Sequence, residues 1–193
     1  MTLTEKVRAV EAVFHELDSD IAGFQNWSGL SCKFGCGKCC FKPDIEATAL
    51  EFLPFAKHLH DLGLADAWLA RLEDASEVCL ILNPTQISQG LCTEYKHRGL
   101  ICRLFGYSAR TNKYSEKELV TCSIIKSEQS EAYASASEKV AAGESVPVMN
   151  QYYMRLHSID YQLAQEFFPI NQAIRKAIET VMQYYAYREA SEA

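Results

Sequence analysis

The sequence predicts a mainly α fold, a helical domain built around an irregular cysteine-rich segment of short strands or turns. Three observations predict it. Apolar residues recur at helical spacing toward both ends of the 193-residue chain, whereas Val78 to Gly106 breaks into short apolar pieces separated by turn signals. All eight cysteines fall between Cys32 and Cys122. The length favours a single domain, 1–193, in which the cysteine-cluster region 32–122 is flanked by N- and C-terminal helices, and it suffices to bury a core without staples.

Thr2 and Glu5 are spaced as a capping box, and Val7, Val10, Phe14, Leu17 and Ile21 then share one face of an amphipathic helix. After a cysteine-rich loop, Pro43-Asp44 predicts a helical region through "IEATALEF", which Pro54 breaks or restarts. The next helix, "PFAKHLHDLG", stops at Gly63 as a C-cap, and "LADAWLARLEDA" sets Trp68, Leu69 and Leu72 at helical spacing. The pieces "VCLIL", "LCTEY" and "LICRLF" are separated by Asn83-Pro84, Gln89-Gly90 and Arg98-Gly99, and read as short strands or turns. Beyond Cys122, "KSEQSEAYASASEKVAA" predicts a helix ending before Gly143, and Tyr152, Leu156, Ile159 and Leu163 form an apolar stripe. A final helix follows Pro169, read as a first-turn proline, with Ile170, Ile174, Ile178, Val181 and Tyr185 on one face.

The net charge of -6 opposes a polyanionic partner, so nucleic acid is not expected. No apolar run approaches the roughly 18 residues of a membrane span. The opening stretch is charged and lacks a secretory apolar core, so a cytoplasmic, membrane-free protein is expected. In a reducing compartment disulfides do not persist, and closely spaced thiols then point to metal ligation or redox chemistry. The stretch "SCKFGCGKCC" carries Cys32, Cys36, Cys39 and Cys40 among glycines and lysines, without the periodicity of a core segment. Gly35 and Gly37 allow a tight turn around a centre, and the C-x2-C element from Cys36 to Cys39 supplies half of a tetrahedral zinc site. Cys79, Cys92, Cys102 and Cys122 are candidates for the remaining ligands. Neighbouring side chains ordinarily point apart, so the pair Cys39-Cys40 suits a centre with two irons or two metals. Arg98 and Arg103, set among short apolar pieces, are candidates to screen the thiolates or brace the loops around the cofactor.

In order along the chain, these residues resemble the YkgJ-type cysteine-cluster family, a zinc- or iron-chelating domain named for its CxxCxxCC signature. "CKFGCGKCC" is similar to the signature with one extra residue between the first two cysteines. Cys79 resembles the family's next cysteine, "GLCTEYKHRGLICRLF" its G-x-C-x-x-Y-x-x-R-P-x-x-C-R-x-F segment, and Cys122 its last; Gly99 stands where proline is common. The resemblance implies metal chelation by zinc or iron, including an iron-sulfur cluster, with a redox role in view. Because both metals accept all-cysteine coordination, the sequence leaves the two open.

A related cysteine region in flagellin lysine methylases brings a methyltransferase-type enzyme in as an alternative. The C-x3-C-x2-C spacing of Cys32, Cys36 and Cys39 also matches radical S-adenosylmethionine enzymes, but the chain has neither their repeated strand–helix alternation nor a G-x-G-x-x-G donor loop. Two further alternatives are a thiol activated by His97 or His157, and a structural zinc module presenting helices to a protein partner. A metal ion is the one partner the residues name.

Overall fold

A computed structural model gives the structure of the chain and describes residues 1–86 and 89–192. In chain order its elements are α1 (Leu3–Ser28), β1 (Glu46–Thr48), α2 (Leu53–Asp61), α3 (Ala65–Glu73), β2 (Leu82–Gln86) and β3 (Gln89–Cys92). They continue with α4 (Leu100–Leu104), β4 (Ser108–Thr111), β5 (Lys117–Val120), α5 (Ser123–Glu128) and α6 (Ser130–Ala141). The last are α7 (Met149–Ile159), α8 (Tyr161–Ala164), β6 (Phe167–Pro169) and α9 (Ile170–Glu192). The fold is mainly α, as the periodicity predicts, and the strands pair only as three two-stranded antiparallel ribbons among the described residues. No helix among the described residues is long and apolar enough to cross a membrane.

The chain divides into two compact units. The first comprises Met1–Glu11, Gly35–Gly99 and Leu156–Ala193; the second comprises Ala12–Phe34 and Leu100–Arg155. In the first, α9 packs on α2, α3 and β1. Ile170, Ile174, Ile178 and Val181 are buried along it, as are Phe52, Phe55 and Leu59 among the residues of the α2 region. In the second, Phe24, Leu30, Leu119, Ile125 and Val140 belong to one apolar cluster, with Trp27, Tyr107 and Cys122 packed against it.

The helix signals at the N-terminus are realised atom by atom. Thr2 N–H donates to Glu5 Oε2 (2.7 Å) and Glu5 N–H to Thr2 Oγ1 (3.3 Å), and the stripe from Val7 to Ile21 is buried. Gly63 lies just past α2 at φ +68°, the left-handed conformation a helix stop requires.

Four expectations are corrected. Glu46–Thr48 is a strand, not the start of a helix: it pairs with β6, Glu46 opposite Pro169 and Thr48 opposite Phe167. The buried Glu51 carboxylate accepts from Thr48 N–H (2.9 Å) and Oγ1 (3.2 Å), so a side chain takes over the role of a helical acceptor. Pro169 ends β6 instead of opening α9, whose first N–H, that of Ile170, donates to Ile45 O (2.9 Å). "LICRLF" holds the helical turn α4, because Leu100 and Leu104, four residues apart, are both fully buried on one face. The stripe from Tyr152 to Leu163 is interrupted at Asp160, which caps α8 by accepting from Leu163 N–H (3.1 Å) and pairs with Lys6 (2.6 Å).

Candidate metal centre

The cysteine loop is shaped by a left-handed glycine. Gly37, at φ +55°, opens a 3₁₀ turn, Lys38–Phe41, closed by Cys40 N–H donating to Gly37 O (2.8 Å). This tight turn brings Cys39 Sγ within 4.0 Å of Cys40 Sγ, although adjacent side chains ordinarily diverge. Gly37 also lies against the β2–β3 hairpin so closely that a Cβ on it would stand 2.5 Å from Gly90 O. Contact between two glycines therefore seats the thiol loop on the hairpin.

Cys79 and Cys92 belong to the open end of that hairpin, where Cys92 faces Leu82 in the register and Leu82 N–H donates to Cys79 O (3.1 Å). Thr93 ties the same end through its N–H and hydroxyl, both donating to Ile81 O (3.1 and 2.9 Å). The irregular segment leading in is held by Asn171 of α9. Its carboxamide accepts from Leu80 N–H (2.9 Å) and donates to Ser76 O (2.8 Å) and Val78 O (2.9 Å). Asn171 carries no sequence signal for this role, since its partners lie more than 90 positions away.

The first unit thus holds Cys36, Cys39, Cys40, Cys79 and Cys92, and the second holds Cys32, Cys102 and Cys122. In the second unit Cys32 N–H donates to Tyr107 Oη (2.6 Å), Cys102 lies in α4, and Cys122 caps α5 by accepting from Ile125 N–H (3.4 Å). Among the described residues no three thiol sulfurs lie within 4.8 Å of one another.

A family model described as "CxxCxxCC: Putative zinc- or iron-chelating domain" matches residues 31–133, just over half of the chain. The chain belongs to the CxxCxxCC family. No curated protein and no solved structure matches it. Gly99 leaves no room for a side chain, because a Cβ on it would stand 2.8 Å from the buried Phe52 ring and 3.1 Å from Glu51 Oε2.

The donor set of this CxxCxxCC chain fits a soft or borderline metal, since backbone N–H groups favour the thiolate form at three of its sulfurs. They belong to Cys39 and Cys40 at Cys39, Ile81 and Leu82 at Cys79, and Glu94 at Cys92. The Cys39 thiol is pulled down to about 6, first by its hydrogen bond with Cys40 and also by the Arg98 charge. Burial pushes Cys79 up to about 11, with Cys92 adding to the rise. Burial also raises Cys92, where Arg98 opposes the shift and Cys39 and Glu94 add to it. Three of the thiols therefore sense one another in series, and Arg98 acts on two of them. Its guanidinium stacks on Tyr95 at 3.5 Å and its Nε donates to Tyr95 O (3.1 Å).

Arg103 has different surroundings, buried with Nη1 at 2.5 Å from Asp18 and its guanidinium 4.6 Å from the Phe14 ring centre. The two histidines weighed as activating bases also meet other groups: His157 Nε2 donates to Ala164 O (3.0 Å), and His97 Nδ1 meets Glu94 Oε2 (3.3 Å).

A measurement follows from the thiol asymmetry. In metal-free protein, alkylation of Cys39 should reach half its maximal rate near pH 6, and fall below that pH as the thiolate gains a proton. Cys79 should react only at strongly alkaline pH. Peptide mapping by mass spectrometry across a pH series reads both, and equal rates at neutral pH would contradict the assignment.

Proposed function

We propose that this CxxCxxCC chain holds an iron-sulfur cluster through thiolates of its first unit, with Cys39, Cys40, Cys79 and Cys92 as ligands and Cys36 as an exchangeable fifth. The observation that carries this reading is the spread of the sulfurs. Thiolates on one zinc form a tetrahedron with edges of about 3.8 Å. Five of the eight cysteines lie in the first unit, where Cys39, Cys92 and Cys79 act on one another in series and no three described sulfurs fall inside 4.8 Å. Thiolates attached to separate irons stand further apart than those on a single ion and tolerate varied ligand spacing. When bound, such a cluster supplies one-electron transfer.

The chain's own residues then have assigned work. Gly37 and Gly90 bring loop to hairpin, Asn171 fixes the irregular segment around Cys79, and Arg98 offsets the negative charge of the Cys39 and Cys92 thiolates. Arg103, paired with Asp18, braces α4 and so the position of Cys102. A specific observation favours a second reading, a single zinc: the 4.0 Å between Cys39 and Cys40 sulfurs is close to the edge of one tetrahedron.

Metal and acid-labile sulfide analysis with visible absorption, on protein purified without oxygen, separates the two. Iron and sulfide in equal amounts with a brown colour support the cluster; colourless protein with zinc and no sulfide overturns it in favour of the single ion. Cys39→Ser and Cys40→Ser should each lower metal occupancy by about 10-fold or more. A full metal complement in Cys40→Ser, with Cys40 freely alkylated in the native protein, would remove it from the ligand set.

A further inference from the structure

We propose that His58, Glu94 and His97 form a second, separate metal site that takes a divalent cation of the zinc class on two imidazole nitrogens and one carboxylate. His58 lies in α2, while Glu94 and His97 flank the 3₁₀ turn Tyr95–His97 that follows β3. One ligand atom from each lies within 4.8 Å of the other two, and these three are the group for which this holds among the described residues. Glu94 Oε2 stands 3.3 Å from His97 Nδ1, and the His58 and His97 rings stack with centroids 4.4 Å apart. All three side chains are half-buried.

Donors held at about 2.0–2.2 Å by one cation sit roughly 3–4 Å apart, so closing this group requires the stacked His58 and His97 rings to swing out of parallel until their in-plane lone pairs meet at one point. Two imidazoles with one carboxylate suit zinc and neighbouring first-row divalent ions, whereas calcium and magnesium prefer all-oxygen ligands. Three protein ligands also leave a coordination position open to water or a small anion. Glu94 joins the two places in the chain: its backbone N–H favours the Cys92 thiolate, and its carboxylate belongs to the nitrogen-rich group. The site does not depend on which metal the thiols hold.

A purely structural explanation also has support, since the Phe55, His97 and His58 rings form a continuous column (6.0 and 4.4 Å between centroids) with Glu94 hydrogen-bonded to one of them. The test separates the two. The full chain, purified with its thiol centre intact, is equilibrated by dialysis against low free zinc, and bound metal is counted before and after. One additional equivalent is expected, and cobalt in its place should give ligand-field bands without thiolate-to-cobalt charge transfer. His58→Phe and His97→Phe each keep a ring in the column. Each should weaken the additional equivalent by about 10-fold or more while leaving the metal and sulfide content of the thiol centre unchanged. Melting profiles establish that the variants are folded, and should one of them fail to fold, the other decides. No additional equivalent, one retained at full affinity by a folded variant, or one showing thiolate charge transfer would each overturn the proposal.

Discussion

Stripping the metal from the cysteine centre should lower the melting temperature of this CxxCxxCC chain by about 10 °C. A ligand present at about a thousand times its dissociation constant adds about 4 kcal/mol to the folded state. For a chain of this length each kcal/mol is worth about 2–4 °C. The effect should be concentrated in the hairpin and the loop before it. The thiol loop rests there on a glycine–glycine contact, and Cys79 and Cys92 are held at the hairpin's open end by the bonds of Leu82 and Thr93. Chelation followed by calorimetry measures the shift, and hydrogen exchange locates it. A metal-free protein that melts at the same temperature, with unchanged protection at residues 79–86 and 89–92, would show that the centre is not coupled to folding.

Gly37→Ala should be the most damaging single methyl group in the loop. A left-handed backbone costs a non-glycine residue roughly 1–2 kcal/mol. The added Cβ would also meet backbone on the partner hairpin, at 2.5 Å from Gly90 O and 3.0 Å from its carbonyl carbon. Backbone cannot rotate out of the way as a side chain can. Loop and hairpin must separate, and a total loss of about 2–4 kcal/mol is expected, together with at least about 10-fold lower metal occupancy. Gly35→Ala provides the internal comparison, because it shares the positive φ (+69°) yet its Cβ would approach only Leu91 Cδ2 at 3.8 Å. It should show the backbone cost alone. Equal melting temperatures and metal contents for the two variants would remove the glycine–glycine contact from the account.

The helices were legible because the cause of each lies within a few residues of itself. The Thr2/Glu5 cap, the buried stripe of α1, the stop at Gly63 and the Ile170–Val181 face all follow from local hydrogen bonding and a 3.6-residue period. The misread segments have distant causes. Glu46–Thr48 is extended because its partner, β6, lies some 120 residues further along the chain, and Pro169 is a strand residue for the same reason. The hairpin β4–β5 has no counterpart in the sequence reading, and "LICRLF" is too short for periodicity to tell a helical turn from a strand.

By itself the sequence determined that this is a mainly α, cysteine-cluster chain of the CxxCxxCC family, because thiols at two- and three-residue spacing with glycines between them encode ligand chemistry locally. Only the tertiary structure decided the grouping of the ligands. It assigned five cysteines to one unit and three to the other, turned Cys39 and Cys40 toward each other, put Arg98 in reach of two thiols, and paired Arg103 with Asp18. It also assembled His58, Glu94 and His97 from residues up to 39 positions apart, with no motif to announce them. The reason is physical: ligand type is a property of each side chain, whereas convergence depends on which backbones can approach, as Gly37 and Gly90 do, and on contacts such as those of Asn171 that span most of the first unit's sequence.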